Sequence, residues 1–86
     1  EPKFMIEDIK VVSSNTVANK HIKSTLIGKD GSSFKGFAWN AVNTPLEPFL
    51  NIKNKKKINL AGKMRLNEWR GKKKVEFIIE DISLKS

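Results

Sequence analysis

The chain has no cysteine, no tyrosine, one histidine and three prolines in 86 residues. Without cysteine there are no disulfides, no thiolate nucleophile and no cysteine-ligated zinc, which fits a reducing, cytoplasmic setting. His21 has neither a cysteine nor a second histidine with which to share a metal, so it reads as a surface or packing residue. No apolar run approaches the roughly 20 residues of a membrane-spanning helix, and the N-terminus does not resemble a signal peptide. No membrane partner is therefore expected. A phosphate-cradling glycine loop, a nucleophile with a base and a metal cluster are all missing. The chain alone reads as non-enzymatic, with no cofactor of its own.

Acidic residues are scarce in one place. Residues 53–74 hold ten of the seventeen basic side chains and only one acid, Glu68. The remaining 64 positions carry seven basic and eight acidic residues, so the formal charge of +8 is one stripe rather than a general property. The stripe brackets Asn67-Glu68-Trp69-Arg70-Gly71. Cations around an exposed aromatic suit a surface that follows a phosphate backbone and stacks on bases, although lysine-rich loops also keep strand edges from aggregating. The two arginines, Arg65 and Arg70, favour phosphate contact more than any single lysine does.

Eighty-six residues make one domain, expected to span 1–86 with an ordered core of about 5–83. Opening at Glu1-Pro2 without methionine, the chain reads as a piece of a longer protein. Apolar residues alternate with period two through most of it, which predicts strands. Ile6, Ile9 and Val11 begin the first, and their uneven spacing points to a bulge. A polar stretch, Ser13 to Lys20, reads as a connection. Ile22, Ser24 and Leu26 then mark the inward face of a second strand, and Asp30-Gly31 a tight hairpin turn. The third strand runs from Ser33 to about Asn40, with Phe34, Gly36 and Ala38 on one face and Lys35 and Phe37 on the other.

Thr44-Pro45-Leu46-Glu47 is a capping-box pattern and predicts a helix of about two turns from Thr44, with Leu46, Phe49 and Leu50 on its apolar face. A linker, Asn51 to Lys57, leads to a fourth strand. There Ile58, Leu60, Met64 and Leu66 are expected inward, and Asn59, Lys63, Arg65 and Asn67 outward. Gly62 sits mid-strand, where the sheet is expected to coil. Arg70 to Lys74 are placed at a hairpin tip, and Val75, Phe77 and Ile79 inward on a fifth strand ending near Ile82.

Three strands, a short helix and two strands predict an all-β fold with one helix, the five-stranded Greek-key OB barrel. Such barrels bind oligomers on the outer face of strands two and three, walled by the one-two and four-five loops. The candidate nucleic-acid-binding residues are therefore Lys23, Lys35, Phe37, Trp39, Lys63, Arg65, Trp69, Arg70, Lys72 and Lys73, with Thr25 on the same face. For Trp39 a structural role, plugging the barrel beside the helix, is the stronger expectation. Ile-Glu-Asp-Ile occurs at 6–9 and again at 79–82. Asp8 and Asp81 could in principle share Mg²⁺, but coincidence of strand pattern accounts for the repeat better.

The run Asn59 to Gly71, continuing through Val75-Glu76-Phe77-Ile78-Ile79-Glu80-Asp81-Ile82, resembles the C-terminal OB domain of the RecJ single-strand-specific DNA exonucleases. Phe34-Lys35-Gly36-Phe37-Ala38-Trp39 fits the third strand of that domain. The resemblance implies an auxiliary domain that guides single strands to a separate phosphoesterase core in DNA repair and recombination. That core would carry Asp-His-His motifs and Mg²⁺ or Mn²⁺, and this chain contains no such motif. The implied partners are single-stranded DNA, the rest of the nuclease chain and the acidic tail of a single-strand-binding protein. A protein-interaction module and an RNA-binding OB domain stay open as alternatives.

Overall fold

Fourteen residues from Phe4 to Val17 form the first strand, β1, which takes part in both halves of the sheet. Its first part pairs antiparallel with β4 (Ile58–Trp69), and its second part with β2 (His21–Ile27). The change of partner occurs at a bulge, where Asp8 takes a positive φ of 60° and the register shifts between Ile6 and Ile9. A bulge bends and twists a strand locally, which lets one strand serve two sheet directions. The structure, a computed structural model, describes residues 3–51 and 56–85.

β3 (Ser33–Ala38) follows β2 antiparallel, then pairs parallel with β5 (Lys72–Leu84), which in turn pairs along its length with β4. The order β1-β2-β3-β5-β4 closes into a barrel and is the Greek-key arrangement expected. Inside lie Ile9, Val11, Ile22, Leu26, Ile58, Leu60, Phe77 and Ile79. Ser24 is also interior, and its hydroxyl is satisfied by Ser14 Oγ at 2.7 Å. Gly62, where the sheet was expected to coil, is also a point of close approach. A Cβ there would stand 1.9 Å from the Ile78 carbonyl oxygen, at the register shift between Ala61 and Gly62.

Four expectations about the elements need correction. The stretch from Ser13 is not a loop as far as Lys20: β1 runs on to Val17, and Ala18 and Asn19 turn the chain with φ of 53° and 57°. Two positive φ angles in a row match the twist of a hairpin, and the sequence disguises this turn because it uses no glycine. The helix, α1, is a single turn, Glu47–Leu50, with Leu46 at its N-cap and no side-chain cap. Thr44 and Glu47 instead tie down the approach. Thr44 donates to the Ala41 carbonyl at 2.6 Å and accepts from the Leu46 amide at 3.3 Å, while Glu47 accepts from the Asn43 amide at 3.0 Å. Leu50 still enters the core.

The third correction concerns the last hairpin. Its tip is the two-residue turn Arg70-Gly71, with φ of 50° and 74°, so Lys72 to Lys74 belong to β5, which continues to Leu84. The fourth is that Met64, Leu66 and Val75 lie outside the core, with exposures of 47%, 58% and 56%. Beyond Gly62 on β4 and Glu76 on β5 the pair has no further strand beside it among the described residues and projects as an arm, where Met64 and Val75 line an open cleft rather than the core. Of the Asn51–Lys57 linker, residues 52–55 lie outside the described residues.

Candidate nucleic-acid interface

Strand register places the outward side chains in rungs. Thr25 lies opposite Lys35, Lys35 beside Glu76, and Glu76 opposite Arg65. The next rung is Lys23, Phe37, Ile78 and Lys63. Further along the arm, Asn67 faces Lys74 and Trp69 faces Lys72. Side chains alternate along a strand, so these positions share one face running from the barrel wall onto the arm. A cleft of about 680 Å³ lies where the arm stands over the start of β3, lined by Lys23, Lys35, Trp69, Lys72, Lys74 and Glu76 among others.

The two ends of this face are aromatic. At the end beside the β1–β2 turn, His21, Phe37 and Trp39 form a cluster, with Phe37 and Trp39 centroids 4.6 Å apart and His21 edge-on to Trp39 at 4.6 Å. His21 Nδ1 accepts the Asn40 amide at 2.8 Å, so the histidine has the packing role expected of it and braces the cluster. Trp39 does not plug the barrel: it is 50% exposed, and Ala41 and Leu50 occupy the interior near the helix instead. At the other end Trp69 is 69% exposed at the mouth of the tip, with the Arg70 guanidinium 4.5 Å from its ring centroid.

Between these ends the cations are unequal. Lys35 donates to Thr25 Oγ1 at 2.6 Å. Arg65 is ion-paired with Glu76 at 3.4 Å and Lys63 with Glu80 at 3.6 Å, so the charge of each is partly answered within the protein. Lys23, Lys72 and Lys74 form no ion pair among the described residues. Lys73, a sequence candidate, stands opposite Glu68 in the strand register and alternates to the reverse side of the arm. Lys74, Asn67 and Glu76 were not among the candidates but line the cleft. Their signal was available, since Lys74 and Glu76 are in phase with Lys72 once β5 begins at the tip.

Asp8 and Asp81 do not form a pair for a cation. Asp8 is buried, and its carboxylate is held by Lys85 and by Lys29, the latter at 3.5 Å. Asp81 is exposed and accepts the Ile82 amide at 2.9 Å. Among the described residues no three His, Cys, Asp or Glu side chains gather as metal ligands. No helix among them is long and apolar enough to cross a membrane.

A closed five-stranded Greek-key barrel with a single turn of helix between its third and fourth strands defines the OB class. Within that class the chain belongs to the RecJ OB domain family, whose model matches residues 1–81. Among solved structures it is similar to the mitochondrial single-stranded DNA binding protein Rim1 of S. cerevisiae, with 18% identity and a TM-score of 0.60 over 96% of this chain and 93% of that one. No curated protein matches the sequence.

Proposed function

We propose that this chain binds single-stranded DNA as the auxiliary domain of a RecJ-type exonuclease, delivering strands to a separate metal-dependent phosphoesterase core. The observation that carries the reading is the cleft, which gathers Trp69, Lys72 and Lys74 of the arm with Lys23 and Lys35 of the barrel wall, on a face whose next rung holds Phe37, packed on Trp39. Cations with flat rings at either end of the face are what a strand with unpaired bases requires. Membership of the RecJ OB family and the likeness to a single-stranded DNA binding protein support the same assignment. A second reading, in which an acidic protein tail uses the same cations, draws support from the exposure of Trp39 beside them.

Titration with fluorescent oligo-dT at two salt concentrations tests the proposal. Neutralising three to five phosphates gives a slope of log K against log salt of roughly −2 to −3.5, and Lys72→Ala or Lys74→Ala should each flatten it by about 0.7. Equal affinity for duplex DNA, or no binding at low salt, rejects the reading.

A further inference from the structure

Glu76 is an acid set in a cationic groove. Its side chain is 12% exposed, it lines the cleft with Trp69 and Lys74, and its rung neighbours are Lys35 and Arg65. Arg65 Nη2 donates to Oε1 at 3.4 Å, and Asn67 Nδ2 donates to the same oxygen. Both donors converge on Oε1, which leaves Oε2 free to accept from a ligand. The carboxylate is thus held in orientation without being saturated.

An ionised carboxylate repels phosphate and only accepts hydrogen bonds, so the ligand group that suits it is a nucleobase edge carrying N–H donors. The four bases differ there. Guanine presents two adjacent donors, N1–H and the exocyclic N2–H, both of which can reach the open Oε2. Cytosine and adenine offer one amino group beside a ring acceptor, and thymine one N–H between two carbonyls. Trp69 supplies a stacking surface four residues along β4 from Arg65, about 13 Å of extended strand. Lys74 lies on the rung between them and Lys72 directly opposite Trp69, placed for the flanking phosphates.

We propose that the cleft between Trp69 and Glu76 is a guanine-selective nucleobase subsite, with Trp69 stacking on the ring and Glu76 accepting from N1–H and N2–H. The proposal rests on the single-strand reading above and adds base selectivity at one position to it. The test is fluorescence anisotropy with a short oligo-dT carrying one central dG, dI or dT, since inosine differs from guanine only in lacking the N2 amine. The dG strand should bind about tenfold tighter than the dI strand, as expected for a bidentate base contact. Glu76→Gln should bring that ratio close to one while oligo-dT binding is kept or strengthened, because a like charge has been removed.

Equal binding of dG and dI strands by the unmodified protein, with oligo-dT binding intact, overturns the subsite and leaves the single-strand reading standing. A Glu76→Gln variant that tightens all three strands by one common factor also overturns it, making Glu76 a charge brake only. Failure to bind any of the strands at low salt overturns both readings. The analogue series on the unmodified protein decides the matter even where the variant fails to fold.

Discussion

The β4–β5 hairpin has two halves that obey one sequence pattern and meet different surroundings. In the lower half Ile58, Leu60, Phe77, Ile79 and Ile82 point into the barrel and are almost fully covered. In the upper half Met64, Leu66 and Val75 continue the same alternation but remain about half exposed. The boundary is Gly62, where the register shifts and β4 passes close to the Ile78 carbonyl. Period-two patterning identifies a strand and its faces, but it does not reveal whether anything covers the apolar face. The lower half supports the fold; the upper half presents Trp69, Lys72 and Lys74 to solvent on its other side.

The widest separation between the halves should appear in stability. Phe77→Ala empties a fully buried site and is expected to cost about 3–5 kcal/mol in denaturant unfolding, whereas Leu66→Ala on the arm should stay within about 0.5 kcal/mol. Comparable losses at both positions would mean that the arm is covered and the comparison wrong. Next in size is binding. Trp69→Ala should weaken oligo-dT affinity by about 1–3 kcal/mol, with an unfolding midpoint matching that of the parent. A drop in stability instead would show Trp69 to be a packing residue.

The smallest effect concerns pH and belongs to the barrel alone. A hydrogen bond from Lys85 first, then the charges of Lys85 and Lys29, hold the Asp8 carboxyl below its ordinary value of 3.8, against the opposing effect of burial. A folded value below the unfolded one stabilises the protein fully above the unfolded value, and the gain is lost as pH falls through the folded one. Asp8→Asn should therefore flatten the acid limb of the stability profile below about pH 4 and leave oligonucleotide binding at neutral pH unaltered. An unchanged acid limb would show that the Asp8 ion pair contributes nothing to folding.

The barrel was legible in the sequence because its determinants are local: strand alternation, the Asp30-Gly31 turn, and a proline-marked turn of helix between the third and fourth strands. The candidate face was legible for the same reason, since Lys23, Lys35 and Phe37 follow from the parity of two short strands. What escaped depends on boundaries and cover. With Arg70 to Lys74 read as a tip rather than Arg70-Gly71, alternation stops short of the lysine run, and nothing in it separates Lys73 on the reverse side from Lys72 and Lys74 in the cleft. Trp39 was expected inside because a large ring at a strand end often fills a barrel, but Leu50 and Ala41 already occupy that space. The Ala18-Asn19 turn escaped because its positive φ angles are taken by residues other than glycine.

That turn bears on how long a strand stays bound. Only three residues, Ala18 to Lys20, join β1 to β2, so on the proposed function the rim beside the face is low and a polynucleotide crossing it is cradled rather than enclosed. On that proposed reading departure needs no gate to open, and dwell time is governed by the contacts themselves.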